Sequence, residues 1–298
     1  MKKIKEPLFL GVGTALVTPF KGGKIDYPAL DLLIEEQISA GVGAIVVGGT
    51  TGEAATLTEG ERYELYEHSA AAANRRTKVI LGTGTNDTAA AIKHTKFAKA
   101  AGADGALIVT PYYNKGTEEG VFRHYVSIAD ECDIPIILYN VPSRTGVNLG
   151  LHLLSRLAEH PQIVGLKEAG DSTDRLTALA EFRYTLPLYA GNDSQIYPTL
   201  ALGGAGVISV ISNLLPSTVA RLCSLFAEGQ AEAALRLQLE LLPLIRALFL
   251  ETNPAPVKFA LGALEKISPE LRLPLCEVRE STKSALLEEL ARYFPSIK

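Results

Sequence analysis

The chain has little of what several large classes of protein require. Its 29 Lys and Arg are outnumbered by 33 Asp and Glu, for a formal net charge of -4, and no dense basic run occurs. A surface that grips a phosphate backbone needs the opposite balance, so no nucleic-acid partner is expected. Cysteine is scarce: Cys132, Cys223 and Cys276 are odd in number, far apart and without a Cys-x-x-Cys spacing. Neither a disulfide framework nor a structural zinc site follows from that pattern, and a reducing, cytoplasmic setting is expected. No apolar run approaches the roughly 18 residues of a membrane span. The opening MKKIKEPLFLGVG is basic at first but has too few apolar residues before its glycines for a secretory core segment. Histidines are few as well. His68, His94, His124, His152 and His160 all fall in segments of helical pattern, apart from one another, so no metal site is expected. The glycine-rich pieces also lack their usual partners: GTGTN from Gly82 has no third glycine of a dinucleotide fingerprint, and GGTTGE from Gly48 has no Gly-Lys-Ser/Thr. No nucleotide and no other cofactor is expected.

What is present is a repeating alternation. Short apolar, β-branched segments recur as GTALVTPF, AIVVGG, KVILGTG, GALIVTP, PIILYNVP, IVGLKEA, LPLYAGND and GVISV. Between them lie stretches of helical period, such as Asp26 to Ala40, where Leu30, Leu33, Ile34 and Ile38 share one stripe and Gly41 ends the run. Eight such units at spacings of about 20 to 35 residues predict a closed parallel (β/α)8 TIM barrel, whereas an open doubly wound sheet more usually has fewer strands and a nucleotide fingerprint. The barrel is expected over residues 1–228, with its strands and helices running from Gly11 to about Glu228. Residues 229–298, rich in Leu, Ala, Glu and Arg and punctuated by Pro243, Pro254, Pro256, Pro269 and Pro274, are expected to form extra C-terminal helices packed on the barrel.

In barrels of this kind chemistry sits where the strands run out at their C-terminal ends. Those ends carry Thr18, Thr50, Thr51, Thr85, Asn86, Tyr112, Tyr113, Tyr139, Asn140, Lys167, Glu168, Asn192, Asp193 and Ser209. Lys167 is the one amine among them, and it stands beside Glu168 at the end of an apolar run. Alternation along a strand sends the two side chains to opposite faces, so they cannot be each other's partners. An amine attacks a carbonyl only when neutral, a state that burial favours. A lysine among phenols and hydroxyls therefore suits Schiff-base chemistry, with Tyr139 one strand away to move the protons. Gly165, on the same face as Lys167, is expected to leave room for the lysine stem. An isolated lysine would more often be a rim cation in an ion pair; its neighbours at the strand ends argue otherwise. In GGTTGE, backbone amides and threonine hydroxyls after the strand can form a nest for a small carboxylate, or an ordinary turn.

The segments GGTTGE, VTPYYNK, LYNVPSRTG and GLKEA, each at a strand end and in that order, together resemble the dihydrodipicolinate synthase (4-hydroxy-tetrahydrodipicolinate synthase) family of class I pyruvate-dependent aldolase barrels. The resemblance spans essentially the whole chain, including NPAPVK from Asn253. It implies that Lys167 forms an imine with pyruvate, whose enamine attacks aspartate semialdehyde to give the cyclic lysine precursor. By position, Thr50, Tyr139 and Tyr113 resemble the family's proton relay, with Tyr113 supplied by a neighbouring subunit of a homodimer or homotetramer. Thr51 resembles the residue that holds the pyruvate carboxylate, and Gly191 and Ile208 resemble positions lining the pyruvate pocket. Arg144, in SRTG, matches the arginine that receives the carboxylate of aspartate semialdehyde, a role suited to a planar, bidentate guanidinium. As a plain alternative it is a solvated loop cation.

Three departures from the family pattern stand out. Gly116 occupies a position where relatives often have proline, and GDST follows GLKEA where a small or hydroxyl residue and glycine are usual. In feedback-inhibited members, lysine binds a cleft between subunits through polar groups after the second and third strands; here Ala54, Glu59 and Arg62 stand in place of a serine and two histidines or similar groups. Asn86 and Tyr112 remain, but Ala90 occupies the position of a glutamate. Weak or absent inhibition by lysine is expected. Rival assignments are an aldolase for 2-keto-3-deoxy sugar acids, an N-acetylneuraminate lyase-like enzyme, and a non-catalytic barrel that binds a keto acid.

Overall fold

The computed structural model describes residues 4–295; the first residues of the basic N-terminal stretch lie outside the described residues, as does the extreme C-terminus. Eight strands form one closed barrel: β1 (Gly11–Ala15), β2 (Ala44–Val47), β3 (Lys78–Gly82), β4 (Gly105–Val109), β5 (Ile136–Asn140), β6 (Ile163–Glu168), β7 (Leu188–Ala190) and β8 (Gly206–Ser209). Each strand pairs in parallel with its sequence neighbours, and β8 closes on β1 through pairs such as Val12 with Val207 and Thr14 with Ser209. Seven lie within the apolar segments of the sequence, while β1 starts two residues before GTALVTPF and ends at Ala15. Such strands are buried on both faces, which is why they read as nearly continuous hydrophobic runs.

Alternation still sorts their side chains. In β2, Ala44 and Val46 face the barrel interior with Ile80, Leu107, Ile137, Tyr139, Tyr189 and Ile208. Ile45 and Val47 face outward into the layer beneath the helices. The interior is closed at its N-terminal end by Phe9, whose ring stacks on Tyr189 with centroids 4.4 Å apart. The Tyr189 hydroxyl donates to the Phe9 carbonyl at 2.9 Å. Gly165 faces this plug: a Cβ there would meet the Tyr189 ring at 3.0 Å and the Pro187 carbonyl at 3.2 Å. The missing side chain therefore makes room for tyrosine, and not, as expected from the sequence, for the lysine stem.

The barrel helices are α1 (Tyr27–Ser39), α2 (Glu59–Ala73), α3 (Thr88–Ala100), α4 (Glu118–Cys132), α5 (Leu151–Leu157), α6 (Thr173–Leu179), α7 (Ile196–Ala201) and α8 (Pro216–Ala227). Their starts follow local chemistry. Asp26, Asp87, Thr117 and Ser172 each cap a helix by accepting a backbone N–H, and Thr58 with Glu61 forms a reciprocal capping box. His160 departs from expectation, since α5 ends at Leu157 and the histidine lies in the turn beyond it. The chain continues through α9 (Ala231–Ala247), α10 (Ala255–Ala263) and α11 (Glu280–Leu290), which pack with α8 and the α1 side of the barrel in one apolar cluster. The segment before α10 crosses the C-terminal ends of the strands, where the functional groups lie.

Candidate active site

Tyr139 and Lys167 stand side by side in register on β5 and β6. Both are nearly buried, at 7% and 5% exposure, and the lysine Nζ lies 4.2 Å from the centre of the tyrosine ring. Glu168, one residue on, points to the other face as strand geometry demands. Its carboxylate accepts from Asn140 Nδ2 at 2.9 and 3.0 Å, from the Gly170 amide at 2.8 Å and from Arg175 Nε at 3.0 Å. Asn140 is the register partner of Glu168 and also donates to Asn148 Oδ1, while its own oxygen accepts the Leu149 amide. A buried polar network thus staples the two strand ends directly behind the Tyr139–Lys167 pair. The adjoining lysine and glutamate serve different faces of the barrel wall.

Above the strand ends opens a cavity of about 450 Å³, whose lining includes Thr50, Tyr139, Arg144, Asn253, Arg62 and His94. Arg144 comes from a single helical turn, Pro142–Thr145, and its Nη2 donates to the Asn253 carbonyl at 3.1 Å. Thr51 is buried, and its hydroxyl accepts from Asn253 Nδ2 at 2.9 Å. Asn253 therefore bridges a threonine of the barrel to the arginine of the SRTG turn, a junction that sequence patterns did not single out. Arg62 donates to the Ala54 carbonyl at 2.7 Å. His94 pairs with the Tyr63 hydroxyl at 3.2 Å, and burial, with Arg62 nearby, pulls its pKa below the usual histidine value.

Thr50, Tyr139 and Arg144 line the cavity, whereas Lys167 and Thr51 are buried behind its wall and Gly191, Ile208 and Tyr113 also fall outside the lining. Ile208 is fully buried in the barrel interior. Gly191 lets β7 close against β6: its amide donates to the Glu168 carbonyl at 2.6 Å, and a Cβ would meet Ala169 at the same distance. Tyr113 is 89% exposed with φ +69°, whereas its neighbour Tyr112 lines the cavity. Asp193 ties the ends of β7 and β8 together. Its buried carboxylate accepts the amides of Val210 and Ile211 at 3.0 and 2.9 Å, and desolvation raises its pKa.

The GDST departure and the GGTTGE turn are each accounted for by local contacts. In GDST, Asp171 accepts from Asn192 Nδ2 at 3.3 Å, and Ser172 caps α6. At the end of GGTTGE, the amides of Glu53 and of Ala54 just after it donate to the carbonyls of Thr50 and Gly49. Those two amides are not the ones available for an anion nest.

A closed parallel barrel with a buried lysine against a tyrosine, at strand ends that open on a cavity bearing threonine and arginine, is the architecture of a lysine-bearing aldolase-type (β/α)8 barrel. The sequence profile of the dihydrodipicolinate synthetase family matches residues 8–292, and the chain belongs to that family. It is 48% identical over 284 residues to the 4-hydroxy-tetrahydrodipicolinate synthase of Thermodesulfovibrio yellowstonii, covering 95% of this chain and 98% of the relative. The Clostridium novyi synthase is 45% identical over 287 residues, covering 96% and 97% respectively. The crystal structure of dihydrodipicolinate synthase from Aquifex aeolicus superposes with a TM-score of 0.94 at 42% identity, over 97% of this chain and all of that one (100%).

Proposed function

We propose that this chain condenses pyruvate with L-aspartate 4-semialdehyde to give 4-hydroxy-tetrahydrodipicolinate. The observation that carries the assignment is the nearly buried Lys167 held against Tyr139 at the mouth of the barrel. Lys167 Nζ adds to the keto carbon of pyruvate, and loss of water gives the imine. Loss of a methyl proton yields the enamine, whose terminal carbon attacks the aldehyde carbon of the second substrate. The amino group of that substrate then displaces Lys167 from the imine carbon and closes the ring. The proton transfers are assigned to Tyr139, with Thr50 on the wall of the same cavity, and the pyruvate carboxylate is assigned to Thr51. Arg144 faces the same cavity and suits the carboxylate of the second substrate, which favours the synthase over an aldolase for sugar acids.

A homodimer or larger homo-oligomer is part of this proposal. Tyr113 is exposed in the single chain, next to the cavity residue Tyr112, and that position supports its delivery to a neighbouring subunit's site. Borohydride reduction in the presence of pyruvate tests the chemistry: a stable mass increase mapped to Lys167 is expected. An unmodified lysine, or turnover of a 2-keto-3-deoxy sugar acid with no use of aspartate semialdehyde, would overturn the assignment.

A further inference from the structure

The turn that carries Thr50 and Thr51 ends at Glu53, whose backbone is left-handed, with φ 52° and ψ 36°. That conformation favours glycine, because a Cβ crowds the backbone there. The side chain adds a second cost, since a buried carboxylate must be paired. Here the partner comes from far along the chain: Lys258 Nζ meets Glu53 Oε1 at 2.6 Å, with both side chains at 0% exposure. The other carboxylate oxygen accepts the Arg272 amide at 3.0 Å. Lys258 lies in α10, and its Nζ also rests 4.3 Å from the centre of the Phe20 ring. Asn253, just before the same helix, holds the Thr51 hydroxyl. The turn is thus fastened to the C-terminal helices on both sides of Gly52, whose carbonyl is in turn held by the Thr18 hydroxyl at 2.8 Å.

From this geometry we infer that Lys258 is a positioning residue for the pyruvate site: through Glu53 it fixes the turn bearing Thr50 and Thr51, which makes the C-terminal helices part of the substrate site. The inference rests on the proposed function. A buried ion pair is a weak source of net stability, and strained backbone persists where surrounding structure over-determines it. Orientation of the two threonines is the gain that a Glu53 in this conformation, paired to a buried lysine, supplies.

The test is pyruvate-dependent borohydride trapping, measured as a saturation curve, for the wild type, Lys258→Met, Glu53→Gln/Lys258→Met and Leu290→Ala. Leu290 is a buried α11 residue that belongs neither to the turn nor to the Glu53–Lys258 pair, and its truncation serves as a control for lost stability. The double variant leaves no unpaired buried charge and keeps the measurement available if Lys258→Met does not fold. Half-saturation by pyruvate is expected to rise about tenfold or more in the Lys258 variants, as happens when binding groups are misplaced, with Lys167 still the modified residue. Leu290→Ala is expected to stay close to the wild-type value even when its melting temperature falls as far. Unchanged half-saturation in the double variant would overturn the inference, and so would an equal rise in Leu290→Ala. Failure of the wild type to be trapped would overturn the proposed function itself, a separate outcome.

Discussion

Tyr139 and Lys167 are cross-strand neighbours, and the lysine nitrogen rests over the tyrosine ring 4.2 Å from its centre. The face of the ring offers a cation a favourable electrostatic seat, while the phenol at its edge offers a proton donor. Two functions of one side chain can therefore be separated by substitution. Tyr139→Phe keeps the ring and loses the hydroxyl, so imine formation should slow by about 100-fold or more, the usual scale of general acid–base assistance. Lys167→Ala should abolish borohydride trapping altogether, with the circular dichroism and melting of a folded barrel. Substantial turnover in Lys167→Ala would remove the Schiff base from the mechanism.

Substitution of Arg144 tests the proposed handling of the two substrates separately. Its guanidinium reaches the cavity from the Pro142–Thr145 turn and is anchored on the Asn253 carbonyl. Arg144→Ala should lower kcat/KM for aspartate semialdehyde by about 100-fold, as loss of a charged hydrogen-bonding partner does, while pyruvate trapping falls far less. Equal losses in both measurements would mean that the residue holds the turn and not the substrate.

The barrel is legible in the sequence because two-sided burial writes each parallel strand as an apolar, β-branched run. Lys167 is legible because an amine interrupts such a run. Pairing across long separations is not. Asn253 meets Thr51 across 202 residues and Lys258 meets Glu53 across 205, and neither contact leaves a local period. Gly165 misleads for a related reason. Its neighbour is set by cross-strand packing near the shift in register at Ile136 and Ile137, and alternation within one strand carries no trace of the Tyr189 ring. The stapling of Glu168 by Asn140 and Arg175 shows the intermediate case, in which Asn140 stands at a recognised strand end but Arg175 comes from α6 and its contact needs three dimensions.

Tyr113 offers a test of shared sites. If it acts in the neighbouring subunit, Tyr113→Phe and Lys167→Ala chains are each inactive alone yet complement one another. In a mixed dimer, one site keeps its own Lys167 and receives the partner's intact tyrosine. Equal random mixing then restores about a quarter of the wild-type sites, because half of the dimers are mixed and each has one complete site. The assay is turnover after subunit exchange, with heterodimers verified by mass. No recovered activity would place Tyr113 within its own chain's site or outside catalysis.

Sensitivity to lysine is expected to depend on the charges around the same cavity. Arg62 lines it, anchored on the Ala54 carbonyl, and His94 beside it is held toward its neutral form by burial. Glu59, a carboxylate in this sequence region, is engaged by Lys93 at the surface, at 2.7 Å. Ala90, on α3, supplies no carboxylate. For a diamine ligand here, a missing carboxylate costs about 2 kcal/mol or more when the pair is desolvated, and the Arg62 cation adds repulsion. At about 1.4 kcal/mol per decade that is roughly a 25-fold or greater loss of affinity. Initial rates at saturating pyruvate should therefore be insensitive or only weakly sensitive to millimolar lysine. Strong inhibition at submillimolar lysine would show that the ammonium groups find ligands elsewhere in the cleft, and that the charge of Arg62 does not govern it.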